Sequence, residues 1–187
     1  MTFDIEVSLV RTRAILEGHF VLSSGLHSGV YFQCARLLAH PEEAAHAGKA
    51  IAERFSADKP DSVIAPAIGG IVLAHVVAAA LRIPGYFAER VGDTFALRRG
   101  FELRQGERVL VVEDVLTTGG SALEVADLVR SLGAIPIGIG ALVNRAGASS
   151  RDIPMRAILN LNAPLFEPNL CPLCAEGRPI EKPGSRR

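Results

Sequence analysis

The sequence contains no tryptophan, and aromatic residues make up only 5% of it. Platforms on which nucleobases stack are therefore poorly supplied. Neither charge is in surplus: 20 Lys and Arg stand against 20 Asp and Glu. A nucleic-acid partner selects a basic face, so this balance argues against that class. No apolar stretch is long enough to span a bilayer; the longest, Ile71 to Leu81, is interrupted by His75. The first residues, MTFDIEVSLVRTRAILEG, place acids early and contain no long apolar core, so they do not read as a secretory leader. Cysteine is scarce. Cys34, Cys171 and Cys174 cannot form a disulfide framework with none left over, which points to a soluble chain in a reducing cytoplasm.

What is present is enough apolar residue for a core: 49% of 187 residues. That length fits a single domain with decorations, 1–187. Helical and strand-like segments alternate, which favours an α/β fold, a parallel sheet flanked by helices. A helix is expected from about Ile5 to Glu17, closed by Gly18. The Gly- and Ser-rich stretch HFVLSSGLHSGVYFQC reads as short strands joined by turns. Pro41 opens an amphipathic helix in which Ala44, Ala47, Gly48, Ile51, Ala52 and Phe55 share one face. Asp61 to Ala65 is a short strand, 66–70 a turn, and Ile71 to Leu81 a buried helix, apolar all round. Tyr86 to Glu89 is a candidate strand. The polar stretch Arg90 to Gly106 reads as a long, functional loop. Arg108 to Val115 is the strongest strand, followed by a helix from Ser121 to Leu132 and a buried strand from Ile135 to Val143. Arg156 to Leu161 is a candidate last strand, and the Pro- and charge-rich tail from Glu167 is expected to be mostly irregular.

The run Val111–Ala122, VVEDVLTTGGSA, carries the clearest chemistry. A buried strand leads into two carboxylates, then a Thr/Gly loop, then a helix. Ligands of open α/β sheets bind at the carboxyl ends of strands, where this loop falls. Gly119 and Gly120 let backbone approach a ligand, and loop and first-turn N–H groups make an anion site. Thr117, Thr118 and Ser121 add hydroxyl donors. The set suits a phosphate dianion. Glu113 and Asp114 would repel that phosphate, so they must satisfy donors instead, and ribose hydroxyls fit. The loop lacks the Gly-Lys-Ser/Thr ending of a nucleoside triphosphate loop and also lacks G-x-G-x-x-G. The blander reading is an exposed acidic strand end followed by a plain turn.

In that context the run resembles the phosphoribosyl diphosphate (PRPP) signature of type I phosphoribosyltransferases. The likeness extends over most of the chain. Residues 18–32, GHFVLSSGLHSGVYF, are similar to the N-terminal hood of the orotate branch; Ala65 to Ile71, APAIGGI, resembles its diphosphate loop; Val143-Asn144-Arg145 resembles the strand end that offers an arginine to the base. The resemblance implies the type I fold, with a hood over 1–40, a core over 41–166, a tail over 167–187, and a mobile loop. It implies transfer of the phosphoribosyl group from PRPP to orotate, with Mg²⁺ as cofactor and a homodimer as the assembly. PRPP would be bound by Ser23, Ile68, Gly69, Gly70, Arg90, Glu113, Asp114, Val115, Leu116, Thr117, Thr118, Gly119, Gly120 and Ser121. Orotate would be held by Phe32, Gln33, Thr117 and Arg145. Mg²⁺ would be held through substrate and water near the two acids rather than by direct protein ligands.

The resemblance is incomplete in the mobile loop. The family offers there an Arg-Lys pair, another lysine and a histidine. Here Glu89 and Arg90 stand at the pair, and Arg98 and Arg99 are the remaining cations, so Arg90, Arg98, Arg99 and Asp114 are the candidate catalytic groups. A solvated charge pair is the competing reading of Arg98 and Arg99. Arg145 alone is equally compatible with a surface turn. Two other functions stay open: transfer to another base, and PRPP sensing without catalysis. Cys171-x-x-Cys174 has metal-ligand spacing, but zinc needs about four ligands and no second such pair exists unless a symmetric dimer supplies it. His75 reads as a core or edge histidine, and His27 and His40 as turn residues.

Overall fold

The structure is a computed structural model and describes residues 3–22 and 24–183. Pro41 sits in the first turn of the longest helix, α3 (Pro41–Phe55), where its missing N–H costs nothing. Two short helices precede it, α1 (Ile5–Arg11) and α2 (Cys34–Leu38), with a hairpin between them, β1 (Ile15–Val21) and β2 (His27–Phe32). The rest alternates: β3 (Ser62–Pro66), α4 (Gly70–Leu81), β4 (Gly85–Val91), β5 (Thr94–Leu97), β6 (Arg108–Leu116), α5 (Gly120–Ser131), β7 (Ile135–Asn144), β8 (Met155–Asn160) and a one-turn α6 (Pro172–Ala175).

The main sheet has the order β5-β4-β3-β6-β7-β8. Its pairs are parallel except β4–β5. Period-two alternation sends side chains to opposite faces. Val63, Ala65, Leu110 and Val112 pack with α3 and α4, while Ile64, Val109 and Val111 pack with α5. Burial on both faces explains why β6 reads as a continuous apolar run. From β3 the chain winds toward β4, and from β6 toward β7 on the other side. The crevice at the carboxyl ends of β3 and β6 is therefore a topological switch point, where such sheets bind ligands.

Several expectations are corrected. The first helix stops at Arg11 rather than Glu17; the β-formers Ile15, Phe20 and Val21 belong to β1, and Gly18 lies inside that strand. The stretch 90–106 is not all loop, because Thr94–Leu97 folds back on β4 and Phe95 is buried against the α5 side. Helix α4 is not buried all round: Val72 and His75 are exposed, so His75 is a surface residue. His27 is not in a turn but begins β2, and it is buried. The tail returns to the hairpin, pairing Phe166 with His27 and Glu181 with Phe20. No helix among the described residues is long and apolar enough to cross a membrane.

Candidate active site

Two helices begin at the crevice, and neither has a side-chain cap. Gly69 is the N-cap of α4 and Gly119 the N-cap of α5. Their first-turn N–H groups have few partners within the helix, and the positive helix end faces the crevice. Both glycines have local reasons. Gly119 has φ +79°, and a Cβ there would lie 3.4 Å from Met155 Cε. At Gly69 a Cβ would lie 3.3 Å from Asp114 Oδ2, so the acid packs directly beneath this turn. The Ala67–Ile68 peptide in the same turn is cis.

Between the two helix starts, the carboxyl-terminal half of β6 carries Glu113 and Asp114. They form the shared floor of two adjoining cavities, of about 260 Å³ and about 90 Å³. Burial pushes the Glu113 carboxyl up to about 8, and the neighbouring Asp114 charge adds to it; the Ala122 amide opposes the shift by hydrogen bonding. Asp114 is also raised by burial, against a 2.9 Å hydrogen bond donated by the Val115 amide. Among the described residues no cationic side chain offsets the burial of these acids.

The larger cavity brings together Phe32, Gln33, Glu113, Asp114, Val115, Thr117, Ser121 and Arg145. The smaller one brings Gly69 and Gly70 to Glu113, Asp114 and Ser121. Arg145 follows β7, yet it is no surface residue, being only 1% exposed. Its Nη2 donates to Ser28 Oγ at 2.6 Å and to the Val30 carbonyl at 3.0 Å, linking core to hairpin. Its guanidinium lies 5.8 Å from the Phe32 ring centroid, and its buried Nε has no partner among the described residues. Burial lowers its pKa. It nevertheless remains a cation at neutral pH.

Other expected residues stand apart. Leu116 is fully buried, so only its backbone is available to a ligand. Thr118 Oγ1 accepts the Gly120 amide at 3.3 Å. Ile68 is 76% exposed on the turn before α4 without lining either cavity. Arg90, Arg98 and Arg99 also line neither. Arg90 pairs with Glu124 at 3.0 Å and lies over Phe95, while Arg99 forks onto Glu89 at 2.7 and 3.3 Å. Arg98 is exposed. Ser23 lies outside the described residues. Sequence reading missed Tyr31, which lines the larger cavity, and Lys182 and Pro183, which the returning tail delivers to it. The tail residues carried no local signal, because their placement depends on pairing with β1.

Two helix starts without side-chain caps flank a pair of carboxylates at a sheet switch point, the arrangement of a ligand-binding α/β domain. The chain belongs to the phosphoribosyltransferase family: the family model for the phosphoribosyl transferase domain matches residues 33–156. Among relatives, it is 48% identical over 187 residues to the orotate phosphoribosyltransferase of Carboxydothermus hydrogenoformans, covering 98% of each protein. To that of Thermotoga maritima it is 44% identical over 183 residues, covering 97% of this chain and 98% of the relative. The solved orotate phosphoribosyltransferase of Aeropyrum pernix superposes with a TM-score of 0.71 at 27% identity, covering 84% of this chain and 94% of the other.

Proposed function

We infer that this enzyme transfers the 5-phosphoribosyl group of PRPP to orotate, giving orotidine 5′-monophosphate and diphosphate in pyrimidine synthesis. The observation that carries the reading is a single cavity with Glu113 and Asp114 on its floor, the uncapped start of α5 beside them, and Arg145 in its wall, its buried Nε without a partner among the described residues. In the reaction the C1′–oxygen bond to diphosphate breaks as a base nitrogen bonds to C1′. Positive charge builds on the sugar, so positioning and charge stabilisation matter more than covalent catalysis.

The α5 loop, Thr117 to Ser121, takes the 5′-phosphate with backbone amides and hydroxyls. Glu113 and Asp114 take the ribose hydroxyls, and Gly69 and Gly70 bring amides to the diphosphate. Arg145 pairs with the orotate carboxylate, while the backbone around Phe32 and Gln33 covers the ring. The buried acid pair, raised in pKa by burial, fits a hydrated divalent cation. Mg²⁺ near these acids, bound through water and substrate oxygens, would neutralise charge on the leaving group. The β4–β5 arm carries Arg90, Arg98 and Arg99. Its closure would bring cations over the diphosphate and exclude water. Two exposed apolar side chains at the start of α4, Ile68 and Val72, support a homodimer, checked by solution mass. We place the reaction in the cytoplasm, where PRPP and the thiols of Cys34, Cys171 and Cys174 coexist.

The direct test mixes protein, PRPP, Mg²⁺ and orotate and follows loss of orotate absorbance. Turnover with uracil or a purine but not orotate would replace the base assignment. PRPP binding with no turnover on any base would make the protein a sensor.

A further inference from the structure

Outside the two cavities, four side chains from two distant parts of the chain converge. His19, His27, Cys171 and Cys174 place one ligand atom each within 4.8 Å of all the others. We propose that they form a closed tetrahedral zinc site that fastens the C-terminal tail to the β1–β2 hairpin.

Bond lengths decide the fit. With Zn–N of about 2.0–2.1 Å and Zn–S of about 2.3 Å, a tetrahedron has edges of roughly 3.3 Å for N···N and 3.6 Å for S···N. The observed edge between His19 Nε2 and His27 Nδ1 is 3.0 Å. His19 Nε2 lies 3.5 Å from Cys171 Sγ and 3.7 Å from Cys174 Sγ, and His27 Nδ1 lies 3.4 Å from Cys174 Sγ.

The tautomer agrees. His19 Nδ1 lies 3.0 Å from the Arg178 carbonyl, which can only accept, so Nδ1 carries the proton and Nε2 presents a lone pair to the cluster. A backbone carbonyl behind a ligating imidazole is a common second layer of metal sites. Three neighbours crowd that one lone pair, which can accept only one proton; a cation at the centre serves all four groups. His19, His27 and Cys171 are buried, with exposures of 2, 5 and 4%.

The fold builds this arrangement. Register slips between Glu17 and Phe20, so two residues of β1, Gly18 and His19, oppose one of β2. The bulge re-aims His19, and the consecutive residues His19 and Phe20 are both buried. Two nitrogens and two sulfurs in a tetrahedron select zinc among common metals. Four protein ligands leave no open position, so the site is structural. Beyond it Glu181 pairs with β1, and Lys182 and Pro183 reach the cavity. The metal would thus hold the tail segment that completes the wall of the active site.

The experiment uses untagged full-length protein, purified under reducing conditions without chelator. Elemental analysis is expected to find zinc at close to one equivalent per chain. Loading the metal-free protein with cobalt(II) is expected to give the intense visible bands of a tetrahedral thiolate site. Cys174→Ser, at the exposed ligand, is expected to lose about half of the thiolate-to-cobalt band intensity, since Cys171 remains, and to bind zinc at least about tenfold more weakly. Chelation is expected to lower the wild-type Tm by roughly 5–10 °C and to change the variant's much less. Folding of the variant is checked by circular dichroism; if it does not fold, His27→Gln is measured in the same way. A reduced wild-type protein that neither contains zinc nor binds added cobalt(II) overturns the proposal. So does a Cys171–Cys174 disulfide in the freshly purified protein, or zinc held equally by wild type and variants. None of these readouts depends on orotate turnover.

Discussion

At the scale of single residues, Arg145 is the group proposed to separate an orotate enzyme from its relatives. Its Nη2 is committed to the hairpin and its Nε is not. A guanidinium holds a planar carboxylate through paired hydrogen bonds that lysine cannot reproduce. Arg145→Ala is therefore expected to lower kcat/KM for orotate by roughly ten- to a hundred-fold, corresponding to a charge-assisted contact of ~1.5–3 kcal/mol, and to change KM for PRPP far less. Steady-state kinetics with each substrate varied in turn makes the comparison; equal losses on both substrates would assign Arg145 to holding the hairpin. Gly119 makes a different demand. Its φ of +79° is in the left-handed region, where a Cβ costs about 1–2 kcal/mol, and Met155 Cε stands 3.4 Å from where that atom would sit. Gly119→Val adds a branched side chain at the helix start proposed to meet the phosphate. Calorimetry is expected to show no PRPP binding by a protein that is still folded, and an unchanged Kd would remove this loop from the site.

At the scale of elements, helix packing rests on small residues. A Cβ on Gly48 of α3 would lie 2.7 Å from the Val76 backbone of α4, which has no flexible end to move aside. Gly48→Ala is expected to destabilise by about 1–3 kcal/mol through overpacking, less up to about 1 kcal/mol of better helix propensity. A urea midpoint that rises in the variant would show that the helices separate freely. The face containing Gly48, with Ala44, Ala47 and Ile51, was legible because helical spacing repeats along a contiguous stretch. The site motif Val111–Ala122 was legible for the same reason: acids, hydroxyls and glycines lie together in sequence. Elements fixed by distant partners were not legible. Residues 12–17 continue an apolar helix pattern, but pairing with β2 claims Ile15 to Glu17. Thr94–Leu97 is too short to declare itself without β4. The charge of Arg99 was plain, but its fork onto Glu89 was not. Cys171 and Cys174 showed half of the proposed metal site, and the other half, His19 in the β1 bulge and His27 at the start of β2, lay at the opposite end of the chain.

At the scale of the whole molecule, the formal charge is zero, so a few buried groups set the response to pH. Glu113 and Glu107 act in opposite directions. Burial alone would raise Glu107, but the Ser62 hydroxyl at 2.6 Å and the Arg104 amide and guanidinium outweigh it and hold its pKa low. That contribution is present above the unfolded-state value and is lost as pH falls through the folded value. Glu113 is raised from 4.5 to about 8. Between those values the folded protein keeps a proton that the unfolded chain has released, so rising pH destabilises the unliganded fold across that window. Tm is therefore expected to fall as pH rises from about 6 to about 8.5, and Glu113→Gln should reduce the slope and raise Tm at the alkaline end. At this chain length each ~1 kcal/mol gained corresponds to roughly 2–4 °C. The same substitution should weaken PRPP binding, because the ionised acid is the better acceptor for ribose hydroxyls and metal-bound water. Mg²⁺ with PRPP should select the ionised pair, so binding at pH 7 releases protons, and calorimetry in buffers of different ionisation enthalpy counts them. A variant with the wild-type slope and wild-type proton release would show that Glu113 is not the group that couples the fold to its ligand.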